Sequence, residues 1–182
     1  MPAESAPSSN RPAARGLADE IGKRHPFESA AHEAYLNLLK THDLLAGRHE
    51  DLFRRHGISS PLYNVLRILR GREQLGVEQG LRPADCPGVP VYTVARDMVA
   101  RGPDITRLAD RLEKLGHVER RRCPHDRRVV RLKLTASGRK LADHLKGPTM
   151  ALVDEHFAPL SERDIKTLSR LLHKVRQQAE DD

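Results

Sequence analysis

Apolar residues recur along most of this chain at helical spacing. Over residues 27–55 they fall at Ala31, Ala34, Leu38, Leu45 and Leu52, with Tyr35, Leu39 and Phe53 beside them. That periodicity predicts one long amphipathic helix, with Gly57 as its C-terminal cap. Ser60-Pro61 signals a second start, Ser as cap and Pro at the first helical position. Leu62, Val65, Leu66 and Leu69 form its inward face up to Gly71. Residues 72–90 then hold Gly76, Gly80, Pro83, Pro87, Gly88 and Pro90, and that density of breakers predicts a long loop. A short helix is expected over 91–100, with Val94, Ala95, Met98 and Val99 inward. After a turn at Gly102, Pro103 starts another helix, in which Ile105, Leu108, Ala109, Leu112 and Leu115 share one face.

At residue 118 the period changes. Residues 118–122 and 130–134 read as two strands, joined through Cys123-Pro-His-Asp-Arg127 into a hairpin. Thr135 caps a helix expected to run to about His156 and to bend or break near Gly147-Pro148. Ser161 to Asp164 opens a last amphipathic helix through Ile165, Leu168, Leu171, Leu172 and Val175. The expected fold is mainly α with a small β-hairpin wing: two short helices across a tight turn followed by a hairpin, a winged helix-turn-helix. Its expected parts are a disordered Pro/Ala/Ser-rich tail over 1–23 and an N-terminal helix region over 24–60. A reading lobe follows over 61–138, with residues 71–90 as an inserted loop, and C-terminal helices occupy 139–182.

Charge sharpens this picture. Residues 101–133 carry 11 Lys or Arg against 5 Asp or Glu, a net +6 of the whole chain's +7. Positive charge concentrated in one short helix and one hairpin is the footprint of a protein that binds duplex DNA. With three Tyr, three Phe and no Trp, stacking on single-stranded bases is a poor fit. No apolar run approaches 18 residues, so no membrane span is expected. Cys86 and Cys123 form no dense pattern, which fits a reducing cytoplasm.

The residues Tyr63-Asn-Val-Leu-Arg-Ile-Leu69, then Asp104-Ile-Thr-Arg-Leu-Ala-Asp-Arg-Leu-Glu-Lys-Leu-Gly-His-Val-Glu-Arg120, stand in the order of a known pattern. Asp126-Arg-Arg128 and Leu134-Thr-x-x-Gly138 complete it. Together they resemble the MarR family of bacterial transcriptional regulators, over about residues 27–179. Two departures stand out: the long Gly/Pro-rich segment at 72–90, and Arg101-Gly-Pro103 at a turn where many members carry Ser or Thr.

The resemblance implies a homodimer, built by the first helix and the last two, that reads a pseudo-palindromic operator. Two reading units about 34 Å apart would enter successive major grooves. Arg107 is the first candidate for bidentate contact to guanine, and Thr106 suits a phosphate or a thymine methyl. Asp104 lies on the same outward face. Asp110 is expected to orient Arg107 or Arg111, or to accept from cytosine. Lys114 and Arg101 are placed for phosphates. Arg127 at the hairpin tip is the candidate for the minor groove. The resemblance implies that Asp126 pins a neighbouring arginine, Arg128 being either that partner or a second phosphate contact. Of Arg120, Arg121 and Arg122, alternation lets only some face DNA.

The resemblance further implies a small, often aromatic or phenolic, effector that releases the repressor from DNA, with His42, His49 and Tyr63 as candidate pocket residues. Two other readings compete with this one. One is an architectural DNA-binding protein without an effector, and the other is a redox sensor using Cys123, whose arginine neighbours favour thiolate. Ten histidines invite a metal site, but His42, His49 and His56 are seven residues apart. That is about 10.5 Å of rise per step, too far for two of them to share one ion. No cofactor is expected. With no phosphate-binding Gly-rich loop and no nucleophile constellation, neither is an enzymatic activity.

Overall fold

Helix α3, Ser60–Glu78, is the element around which the others pack. In this computed structural model, residues 16–78, 88–100 and 104–180 are described, without side-chain detail at 77, 78, 179 and 180. Expectations on residues 1–15, 79–87 and 101–103, including Cys86, Arg101 and Pro103, lie outside the described residues.

The chain divides into two units, with the boundary inside one helix, between Leu45 and Ala46. The first holds α1 (Leu17–Glu20) and the first part of α2 (Ala30–Arg54). Within it Lys23 pairs with Glu28 at 3.4 Å and Lys40 with Glu20 at 3.7 Å.

The second unit contains the rest of α2, then α3, β1 (Val89–Pro90), α4 (Val91–Arg96), α5 (Ile105–Lys114), β2 (Val118–Arg122), β3 (Val130–Leu134), α6 (Ala136–Phe157) and α7 (Glu162–Glu180). Its strands form an antiparallel sheet in the order β1-β3-β2. Val118 pairs with Leu134 and Arg122 with Val130, as the alternation requires. Val65, Leu66 and Leu69 of α3 meet Leu112 of α5, Leu132 and Leu134 of β3, and Leu145 of α6 in one core, each at most 1% exposed.

Several boundaries differ from the sequence reading, each for a local or tertiary reason. Helix α3 begins one residue earlier, with the Ser59 carbonyl accepting the Tyr63 N–H at 2.9 Å. The Ser60 hydroxyl and N–H both donate to Glu50, at 2.8 and 2.9 Å, so a carboxylate from α2 serves the helix N-terminus. Helix α3 also runs through Gly71 rather than ending there. Beyond that residue Glu73 lies only 8% exposed and receives a bidentate Arg139 of α6 at 2.9 and 3.0 Å. This tie stabilises the turn that propensity alone would release. The expected loop at 72–90 is thus helical up to 78 and a strand at 89–90.

Helix α4 stops at Arg96, where Asp97 takes hydrogen bonds from Arg72 and Arg96, and Val99 is 84% exposed instead of inward. Ala95 is exposed too. Helix α6 continues unbroken through Pro148, whose exposed position lets water satisfy the carbonyl that its missing N–H would have served. Among the described residues no helix is long and apolar enough to cross a membrane.

Candidate nucleic-acid interface

Helix α5 presents its polar side on a well-capped start. Asp104 is its N-cap, its carboxylate accepting from the Thr106 N–H at 2.9 Å and the Arg107 N–H at 3.4 Å. That bond fixes the first turn, the part of a reading helix that reaches base edges. Ala109 and Leu112 are fully buried, so the rotation of α5 about its axis is set by the core. Thr106, Arg107, Arg111 and Lys114 are all exposed as a consequence. The Arg107 side chain is 88% exposed and lies 3.6 Å from Asp104.

Asp110 is differently occupied. Its carboxylate pairs with the Arg120 guanidinium of β2, not with Arg107 or Arg111. The same guanidinium donates to the Thr106 carbonyl at 2.9 Å, and the Arg120 N–H donates to Glu113 at 3.1 Å. Arg121 turns to Glu119 at 2.9 Å, where Lys133 also sits at 3.2 Å; Arg122 is exposed. Hydrogen bonds from Arg121 and then Lys133 hold the Glu119 carboxyl below its ordinary range.

The hairpin tip is organised by its backbone. Cys123 N–H donates to the Val129 carbonyl at 2.9 Å, and Val129 N–H to the Asp126 carbonyl at 2.9 Å. The Asp126 carboxylate accepts the Arg128 N–H at 2.9 Å. Asp126 therefore pins its neighbour through the main chain, shaping the turn that carries the exposed Arg127 and Arg128. Cys123 is buried, which shields the thiol that redox chemistry would need at the surface.

At the base of the hairpin, Thr135 joins wing to helix. Its hydroxyl donates to the Gly116 carbonyl at 2.7 Å and accepts the Gly138 N–H at 3.0 Å. Gly116, at φ +74°, ends α5 in the left-handed conformation that glycine favours.

Between α4, α5 and the hairpin lies a largely apolar cleft of about 630 Å³. Tyr92, Ala95, Ile105 and Val130 line it, with Thr106, Arg120 and Arg128 as its polar lining. Tyr92 is 67% exposed, and sequence reasoning passed over it because a single tyrosine in a six-residue helix gives no periodic signal.

The proposed pocket residues lie elsewhere. Tyr63 is a core residue, 7% exposed and stacked on Phe53 at 4.4 Å. His49 approaches the same Phe53 and, at 5.8 Å between ring centres, His156 of α6. His42 is exposed on the part of α2 that belongs to the first unit. Among the described residues no group of three or more His, Cys, Asp or Glu is placed to hold a metal ion.

Comparison with known proteins agrees with this geometry. The model of the MarR family matches residues 86–130, which span the end of the inserted segment, both short helices and most of the hairpin. A crystal structure of a MarR transcription factor from Planctomyces limnophilus is 34% identical, with a TM-score of 0.57, over 81% of this chain and 98% of that one. The chain belongs to the MarR family. It is a DNA-binding transcriptional regulator of the MarR type. Transcriptional repressor MprA of Escherichia coli strain K12 is 25% identical to it over 158 residues, 82% of each chain. The MepR–DNA complex of S. aureus shares the fold at 19% identity, with a TM-score of 0.65 over 80% of this chain and 96% of that one.

Proposed function

We propose that this MarR-type regulator acts as a homodimeric repressor on a pseudo-palindromic operator, from which a small effector releases it. The observation that carries the reading is the division of exposed side chains in one lobe. Thr106 and Arg107 stand on the capped first turn of α5, and Arg127 and Arg128 stand on a turn fixed by Asp126. The first pair suits base edges in the major groove and the second suits a narrow minor groove. Arg111 and Lys114, exposed further along α5, add affinity through phosphates.

Dimerisation explains apolar residues that this single chain leaves uncovered. Leu168, Leu171 and Val175 lie on one stripe of α7 and are 37%, 48% and 62% exposed. Tyr35, Leu38, Leu39 and Leu44 on α2 are 45% exposed or more. An effector finds its better-shaped site in the cleft lined by Tyr92 and Val130, not around the buried Tyr63. An aromatic acid there would set its ring on the apolar lining and its carboxylate near Arg128, in direct competition with DNA.

Sequencing DNA captured from a random pool by the purified protein tests the reading. A two-fold symmetric consensus is expected, competed off by aromatic carboxylates. Equal affinity for all duplexes would instead make this an architectural protein.

A further inference from the structure

Arg120 is an inward-pointing charge. It pairs across the hairpin with Leu132 and follows Val118 on the same strand face, and those two are 0% and 3% exposed. A guanidinium on that face needs partners, and α5 provides them as a stripe at i, i+4 and i+7. Arg120 bonds the Thr106 carbonyl at 2.9 Å and the Asp110 carboxylate, with Glu113 3.8 Å away. Its own N–H donates to the other Glu113 oxygen at 3.1 Å. One side chain thus spans the first two turns of the reading helix and anchors them to a wing strand. A planar fork with donors at both ends can hold a carbonyl and a carboxylate at once, whereas a lysine ammonium cannot span both.

We infer that Arg120 is a positioning residue for DNA reading: it fixes the reading helix against the wing and keeps the Asp110 carboxylate neutralised beside the groove. The inference rests on the operator-reading function proposed above. Thr106 is held through its carbonyl, so Arg120 adds to the Asp104 cap and to the buried Ala109 and Leu112 in setting the first turn, which carries Thr106 and Arg107. Without Arg120, the Asp110 carboxylate would face phosphates uncompensated, which opposes binding.

The test uses the full chain and the sites that wild-type protein selects from random DNA. Arg120→Ala, Arg120→Lys, Asp110→Asn and the Ala/Asn double variant are titrated on the selected duplex and on a scrambled one, over a range of salt, with thermal melts alongside. Loss of charge-assisted hydrogen bonds predicts that Arg120→Ala weakens the selected site about tenfold and the scrambled duplex much less. The salt slope falls by clearly less than the 0.9 or so of a lost phosphate contact, Arg120→Lys fails to restore selectivity, and adding Asp110→Asn recovers part of the loss.

A slope lower by about 0.9, with equal weakening of both duplexes, would make Arg120 a phosphate contact and overturn the inference. Wild-type selectivity in every variant, with only the melts lowered, would leave it a purely structural residue and also overturn it. Should Arg120→Ala not fold, Arg120→Lys and Asp110→Asn decide by the same criteria. Wild-type protein that selects no sequence overturns the operator-reading function and this inference with it, which separates that failure from the others.

Discussion

The reading lobe and the terminal helices place their apolar residues in opposite ways. In the lobe, Val65 and Leu66 of α3, Leu112 of α5 and Leu132 of β3 are all fully buried against one another. In α7 the apolar stripe Leu168, Leu171 and Val175 is open, and of the 25 residues of α2 only Phe53 is buried. Both regions carry helical periodicity of similar clarity in the sequence. The difference teaches that periodicity reports a face to be covered, not what covers it. The lobe meets that need within the chain, whereas the terminal helices leave it to a second copy, in the dimer proposed above.

The most direct way to break the comparison is a cavity in the lobe. Leu66→Ala removes a fully buried side chain from the centre of α3 and is expected to cost about 2–5 kcal/mol. Urea unfolding measures it, and the loss should be the same at any protein concentration. A loss that disappeared as concentration rose would mean that the lobe too draws its stability from association.

A second variant probes the joint between wing and α6. A Cβ at Gly138 would collide with the His117 carbonyl and stand 3.2 Å from Leu134. Since backbone, not a flexible side-chain end, blocks the space, Gly138→Ala is expected to cost about 1–3 kcal/mol, as overpacking does. A melt unchanged from wild type would show that α6 shifts freely relative to the hairpin, and that the lobe is looser than its packing suggests.

These two residues also mark what was legible in the sequence. The Thr135 cap and the two strands of the hairpin were read correctly, because cap residue and alternation are local signals. The reading helix was legible for the same reason. What escaped depended on partners distant in the chain. Gly71 reads as a stop until Arg139 is seen to hold Glu73 beyond it, and Val99 reads as inward until Asp97 is seen to end α4. In the candidate site, exposure of Arg107 followed from its helix face. The occupation of Asp110 by Arg120 did not, because it requires knowing which strand face the arginine takes.

A smaller effect is expected from acid. A hydrogen bond from Arg70 holds the Asp143 carboxyl of α6 below its ordinary value, against a desolvation cost that raises it. Arg70 donates to its two oxygens at 2.7 and 3.0 Å. A carboxyl depressed in the folded state stabilises it above the unfolded pKa, and that contribution is lost as pH falls through the lower folded value. Lobe stability should therefore stay level from neutrality to about pH 5 and decline below about pH 4, the usual carboxylate range. Asp143→Asn should flatten part of that decline in thermal melts taken across pH. Both partners are partly exposed, so the change will be modest. An unchanged acid profile would assign the decline to other carboxylates, Glu119 first.

The smallest effect on the lobe, and the sharpest test of the comparison, comes from α7. Leu171 is 48% exposed at the middle of the open stripe, so a charge there keeps access to water in this chain. Leu171→Asp should leave unfolding of the isolated chain within about 0.5 kcal/mol of wild type, as surface changes usually do. A carboxylate repeated across a two-fold interface meets apolar surface and its own copy, so the same substitution should drive a dimer to monomers in sedimentation runs. Affinity for a palindromic duplex should then fall steeply, because each half-site would be bound alone, while affinity for a single half-site stays nearly constant. If Leu171→Asp left the dimer intact, the uncovered stripe on α7 would lie outside the dimer contact, and α2 alone would have to provide it. If it instead unfolded the lobe, α7 would belong to the lobe's stability after all, and the contrast between closed and open apolar faces would fail at its clearest point.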